Sequence, residues 1–370
     1  MLKFASIGKS ILIQSIGIQA NYKEEVTTVI DKQNSGCSDC IHSFDSSGSF
    51  CKDCPSKCYV IKKIYHNEKN IYGAKPRLKS NAVKLLLYFH FLRPDENGII
   101  KNISLKDTAA YLKCDLRTIY NNMKLLDSYG YIKYTKTCEG TRNVLIISYK
   151  DAFKKATDGG RGYVVFNKPL LDKLLKIDNI ITLRLFIRNL VEIDSFNKDD
   201  SSPINMITKS YSQLKRELPS YCKKSIINNA LSYKDSLFFI RQTDAGITFT
   251  LNEEYIGKRK RREHTKYCTY QLTKFINILN ESIRKQREGL LDSSDPNYNL
   301  VYSFINPRFI TVLPDDIYNL AQLAVYYSIE QVEEALLFSW EYYLQKHEEI
   351  ESYGAVVRTF IEKAYRRLAS

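Results

Sequence analysis

Two stretches of the chain, about 79–149 and 179–252, alternate helical spacing with strand-like runs. The first opens on KSNAVKLLLYFHFL (79–92), an apolar helix. SLKDTAAYL (104–112) follows as a short helix, with Ser104 and Asp107 in a loose capping pattern. After the tight turn KCD, Asp115 is placed to cap LRTIYNNMKLLDSY (116–129). The apolar stripe of that helix is Leu116, Ile119, Met123 and Leu126. Gly130 ends it as a C′ glycine. YIKYTKT, CEGTR and NVLIISY then read as strand, turn and strand.

The second stretch repeats the first. NIITLRLFIRNLVEI is its apolar helix, SYSQLKREL its short helix and PSY its turn. CKKSIINNALSYKD is the next helix, and LFFIRQT, DAG and ITFTLN form a hairpin. The phrases TIYNN and SIINN lie 107 residues apart, while Ser210 follows Ser104 at an offset of 106. Three helices closed by a hairpin predict a winged helix, so the chain is read as two such domains in tandem, at 71–155 and 160–257.

The exposed face of a helix lying in the major groove needs hydrogen-bond donors and acceptors that match base edges. Arg117, Thr118, Asn121 and Lys124 supply them in the first copy, and Lys223, Lys224, Ser225 and Asn228 in the second. Arg142 falls on the first wing as a phosphate contact. After the second wing, Lys258, Arg259, Lys260, Arg261 and Arg262 run together. They read as a basic linker (258–265), either a solvated segment or an arm along the DNA backbone.

From 266 to 370 the pattern is helical: YCTYQLTKFINILNESIRKQ, PDDIYNLAQLAVYY, a capped SIEQVEEALLFSWEYYLQKHEE and GAVVRTFIEKAYRRL. The core face of the third is Val332, Leu336, Trp340 and Leu344. This region carries no catalytic signature and suits oligomerisation or partner docking.

Residues 1–70 differ. ILIQSIGIQ alternates as a strand does. CSDCIHSFDSSGSFCKDCPSKC then gathers five of the nine cysteines, Cys37, Cys40, Cys51, Cys54 and Cys58. Two C-x-x-C pairs ten residues apart fit a tetrahedral zinc site, built from Cys37, Cys40, Cys51 and Cys54. Cys58 is the substitute ligand and His42 a weaker one. Thiolates also bind iron–sulfur clusters, which is the alternative. Pro55 is placed to open a helix over PSKCYVIKKIYHNEK.

Composition sharpens the picture. Lys and Arg number 55 against 41 Asp and Glu, a net charge of +14, as a polyanion-binding protein requires. The clustered cysteines indicate a reducing compartment, and no apolar run is long enough to span a membrane, so the expected place is the cytoplasm. SIGKS has the end of a phosphate-binding loop, but Lys3 stands where the upstream glycine is needed. The five histidines are dispersed, with no metalloprotease pair and no His-apolar-His pair. No enzyme is expected.

Two winged helices, a basic linker and the ending EEALLFSWEYYLQKHEEIESYGAVVRTFIEKAY resemble replication initiators of plasmids and phages from low-GC Gram-positive bacteria. The ending is also similar to that of primosome proteins of the DnaD type. The resemblance implies binding to repeated origin sites, duplex distortion and recruitment of helicase or primase. The expected fold is therefore mainly α with small β wings: an N-terminal zinc module, two winged-helix domains and a C-terminal helical domain through which the chain self-associates. The expected partner is double-stranded DNA. A transcriptional or partition regulator would use the same parts, and a protein-interaction scaffold is the alternative from another class.

Overall fold

The computed structural model describes residues 1–17, 23–30, 59–66, 77–138, 140–196, 204–219, 221–233, 236–243, 246–304, 307–346 and 350–368, with the backbone alone at 23–30, 59–66, 156 and 364–368. The elements begin β1 (Phe4–Gly8), α1 (Lys9–Ile16), β2 (Lys23–Ile30), β3 (Tyr59–His66). The first repeat holds α2 (Ser80–His90), β4 (Ile99–Ile103), α3 (Leu105–Leu112), α4 (Leu116–Ser128), β5 (Ile132–Lys136) and β6 (Arg142–Ile146). Then come β7 (Tyr163–Asn167) and α5 (Lys168–Leu175). The second repeat holds α6 (Ile180–Phe196), β8 (Met206–Lys209), α7 (Tyr211–Glu217), α8 (Lys224–Leu231), β9 (Phe238–Thr243) and β10 (Gly246–Leu251). The remainder is helical: α9 (Gly257–Arg287), α10 (Tyr298–Tyr302), α11 (Pro314–Tyr326), α12 (Ile329–Lys346) and α13 (Tyr353–Leu368). The fold is mainly α with small antiparallel sheets.

Each repeat has one more strand than its sequence pattern indicates. The sheets run β4-β6-β5 and β8-β10-β9, antiparallel throughout. The extra strands, β4 and β8, lie between the apolar helix and the short helix and are too brief to show a period. Local capping follows the sequence more closely. Ser104 Oγ accepts from Asp107 N, and Ser210 forms a reciprocal capping box with Gln213. Asp115 stands in the N-cap position of α4 without a side-chain bond to the helix.

The repeat extends beyond the two modules. β1–α1 and β7–α5 are strand–helix units of matching lengths. Their strands pair antiparallel, from Phe4 opposite Asn167 to Gly8 opposite Tyr163, centred on Ser6 opposite Val165. Exchanging the strands maps this pair onto itself. α1 then packs on α6, and α5 packs on α2, so each half lends its first helix to the other.

Side chains repeat the exchange. Lys84, the fifth residue of α2, reaches Asp178 just before α6 (3.5 Å). Arg184, the fifth residue of α6, donates to Leu78 O just before α2 (3.1 Å). The two contacts match in position, each joining the fifth residue of one apolar helix to the residues just before the other. Apolar side chains from Leu2 to Ile256 form one cluster that runs across both regions, 71–155 and 160–257.

Residues 11–16 are helical, not the expected strand. Ile11, Leu12, Ile13 and Ile16 are all buried, and a run apolar on every side carries no usable period. Gly17 closes the helix in the left-handed region (φ 56°). β2 and β3 form an antiparallel hairpin ending on Ile30 opposite Tyr59, so residues 59–66 are strand where a helix was expected after Pro55. The β-branched and aromatic residues of YVIKKIYH suit a strand.

The basic run is no extended linker, since residues 258–265 are the first turns of the 31-residue α9. That helix is about 46 Å long at 1.5 Å per residue. It starts against β7, where a Cβ on Gly257 would stand 1.8 Å from Val165 O. Its far part joins α11, α12 and α13 in a second core that includes Leu272, Leu279, Leu320, Leu336 and Trp340. Tyr326 donates to Pro94 O (3.0 Å) and Arg93 to Tyr327 O (3.1 Å), seating this bundle on the first repeat. No helix among the described residues is long and apolar enough to cross a membrane.

Candidate nucleic-acid interface

α4 buries Ile119, Met123 and Leu126 against α2 and the sheet, while Arg117, Asn121 and Lys124 are exposed. Thr118 is half-buried, and its carbonyl accepts from Asn122 Nδ2 (2.7 Å). Leu116, expected in the core stripe, is 36% exposed at the start of the polar face. Tyr120 is exposed beside it. Neither was separable by spacing, because an apolar residue at the edge of a stripe reads as core.

α8 is shorter than expected, eight residues, and buries Ile227, Ala230 and Leu231. Lys223, Lys224, Ser225 and Asn228 are exposed, and so is Asn229. The N-caps Asp115 and Lys223 lie 108 residues apart, one more than the repeated phrase. At that offset Ile119 matches Ile227, Met123 matches Leu231 and Asn121 matches Asn229, with the same burial at each pair. The shared letters Asn-Asn are therefore one residue out of structural register. The turn before α8 is longer than the turn before α4 and absorbs the difference. Asn229 is an exposed position, matched to Asn121, that the phrase concealed.

Arg142 is buried in the wing. Its Nη1 donates to Gly140 O (3.1 Å) and Thr141 O (3.0 Å), and its guanidinium lies 5.8 Å from the Tyr120 ring centroid. It ties the wing turn to α4 instead of projecting from it. In the second wing, Arg241 is exposed on β9 and Thr243 Oγ1 donates to Gly246 O (3.2 Å).

Lys258, Arg259 and Lys260 of the basic run have carboxylate partners. Lys258 pairs with Asp194 (2.9 Å), which Lys9 also holds (2.8 Å). Arg259 pairs with Glu253 (2.9 Å) and Glu263 (3.2 Å), and Lys260 with Glu263 (2.9 Å). The hydrogen bond from Lys260 holds the Glu263 carboxyl below its usual range. Except for Lys258–Asp194, these pairs are exposed and individually weak. Arg261 is half-buried and Arg262 exposed. Lys9, from the phosphate-loop-like SIGKS, is engaged by Asp194 and Ser195 Oγ (3.0 Å).

Cys37, Cys40, Cys51, Cys54 and Cys58, with His42, lie outside the described residues. All five cysteines fall in sequence between Ile30 and Tyr59, the last paired residues of the β2–β3 hairpin, so both ends of that segment meet. Four thiolates in two C-x-x-C pairs are a donor set that fits zinc. Among the described residues no three His, Cys, Asp or Glu side chains gather as metal ligands.

The two repeats thus present matching exposed polar helix faces from halves that share a core. Comparison of the chain with protein-family models, curated proteins and solved structures gives no match.

Proposed function

We propose that the chain is a sequence-specific double-stranded DNA-binding protein of the replication-initiator kind, acting in the cytoplasm by binding and recruitment without catalysis. Its two repeats are winged-helix domains, and α4 and α8 are their recognition helices. The observation that carries this reading is the matched pair of polar helix faces, held in fixed relation by the exchange of α1 and α5. Two matched readers suit the two-fold of a duplex, so the site is two inverted half-sites about one helical turn apart. The +14 charge supplies salt-sensitive, sequence-independent affinity, and the helix faces supply discrimination. Zinc held by Cys37, Cys40, Cys51 and Cys54, with Cys58 as substitute, acts as a folding staple. The C-terminal helices recruit replication proteins.

The test is selection of bound sequences from random duplexes by the full chain. Enrichment of inverted half-sites is expected, and insertion of about five base pairs between them should abolish binding by turning the readers to opposite faces. Arg117→Ala, Asn121→Ala and Asn229→Ala should each cost about 1–3 kcal/mol on the selected site and relax specificity. Absence of any enriched sequence, or affinity unchanged in all three variants, defeats the proposal. Plasmid replication dependent on the selected site separates an initiator from a regulator. Metal analysis should return about one zinc per chain, and its absence removes the staple.

A further inference from the structure

The surplus of positive charge stops where the C-terminal helices begin. Residues 266–370 hold 14 Asp and Glu against 11 Lys and Arg, so the first 265 residues carry the whole excess. α12 shows what this region offers a partner. Its buried side, Val332, Leu336, Ser339 and Trp340, belongs to the second core. Trp340 Nε1 donates to Arg308 O (3.0 Å), which fixes the rotation of the helix.

At 100° per residue the opposite side forms two lanes. Glu330, Glu334 and Glu341 lie along one edge, and Phe338 and Tyr342 along the other. Phe338 is 54% exposed and Tyr342 42% exposed. Phe360 of α13 meets Tyr342 edge-on (5.8 Å) and Lys346 stands over its ring (4.5 Å), so this aromatic is braced in place. Glu330 to Tyr342 spans about 18 Å, the length of three helical turns.

A large aromatic exposed in a braced setting is the kind of side chain that anchors interfaces. Here Tyr342 is braced in this way and Phe338 stands exposed beside it on the outer side of α12, flanked by carboxylates in a chain that is otherwise strongly basic. Charge complementarity selects a cationic occupant. We propose that this face of α12 docks a basic amphipathic helix of a partner protein. The partner's apolar residues, at i, i+3, i+4 and i+7, cover Phe338 and Tyr342, and its Lys or Arg side chains meet Glu330, Glu334 and Glu341. Because these residues lie on α12 and the proposed DNA contacts on α4 and α8, the inference stands or falls apart from the DNA-binding reading.

The experiment uses the full chain and two fluorescein-labelled 18-residue helical peptides. Both carry leucine at i, i+3, i+4 and i+7. One has lysine at the flanking positions and the other glutamate. Fluorescence anisotropy should show binding of the lysine peptide, weakening with salt, and at least about tenfold weaker binding of the glutamate peptide. Phe338→Ala with Tyr342→Ala, and separately Glu334→Lys with Glu341→Lys, should each weaken the lysine peptide about tenfold. Phe338, Tyr342 and Glu334 are exposed and Glu341 is half-buried, and an unchanged circular dichroism spectrum confirms that the variants fold. Equal binding of both peptides overturns the proposal, as does lysine-peptide binding that neither variant reduces. Sedimentation showing a dimer that the aromatic variant dissolves also overturns it, because the occupant is then a second copy of the chain.

Discussion

His90 illustrates how far a single position can be read. It lies on an apolar helix, where a packed histidine is the natural expectation, and it is buried with Nδ1 bonded to Leu86 O (2.8 Å). Burial lowers its pKa from 6.5 to about 4, the backbone bond opposing only in part. The fold therefore holds the neutral ring. Unfolded, the ring takes a proton near pH 6.5; folded, it resists until about pH 4. Its contribution is intact above pH 6.5 and lost progressively as pH falls towards 4, by roughly 3 kcal/mol in full. Urea titrations at several pH values should show His90→Phe losing less stability across that window than the parent chain. Parallel curves would mean that the ring protonates freely in the fold. Arg142 shows the opposite case. Its place on the wing was legible, but its direction was not, because the carbonyls of Gly140 and Thr141 and the ring of Tyr120 compete for it.

Elements are governed by caps and burial before letters. The polar face of α4 follows from the spacing of Ile119, Met123 and Leu126. In the second repeat the matching letters mislead by one residue, since the N-cap at Lys223 sets the phase of α8. The basic run fails as a linker for a related reason. Five adjacent cations repel one another, yet Asp194, Glu253 and Glu263 offset enough of that charge for the segment to stay helical. The start of α9 is fixed by close approach. Gly257→Ala would press a methyl group against Val165 O in β7, and backbone there cannot yield without opening the central strand pair. A loss of about 2 kcal/mol or more is expected by urea denaturation. Gly130→Ala, which meets no neighbour but requires a left-handed residue (φ 71°), should cost about 1 kcal/mol. If Gly257→Ala proves as mild as Gly130→Ala, the contact with β7 does not hold the helix.

The whole molecule is organised by the exchange of its two strand–helix units. Ile11, Leu12, Ile13 and Ile16 of α1 are buried in the core that α6 shares. At roughly 1.5–3 kcal/mol for each buried side chain, their removal rivals the total stability of an ordinary domain. Deleting residues 1–17 should therefore unfold the second repeat, although it lies more than 160 residues further along the chain. Loss of the cooperative thermal transition checks this. A truncated chain that melts at the parent temperature would show that the second repeat stands alone.

Local spacing determined the elements that repeat: the apolar helices, Ser104 and Ser210 as caps, and the polar faces now assigned to α4 and α8. These depend on neighbours three or four residues apart, whose chemistry is printed side by side. Only the tertiary structure decided that α1 belongs to α6 and α5 to α2, that Lys84 and Arg184 cross to opposite halves, and that Asn229 stands where Asn121 does. The helix and side-chain exchanges arise from contacts between segments separated by roughly 90 to 170 residues, where burial selects the partner and no periodicity records the choice, and the register of Asn229 follows from where α8 is capped.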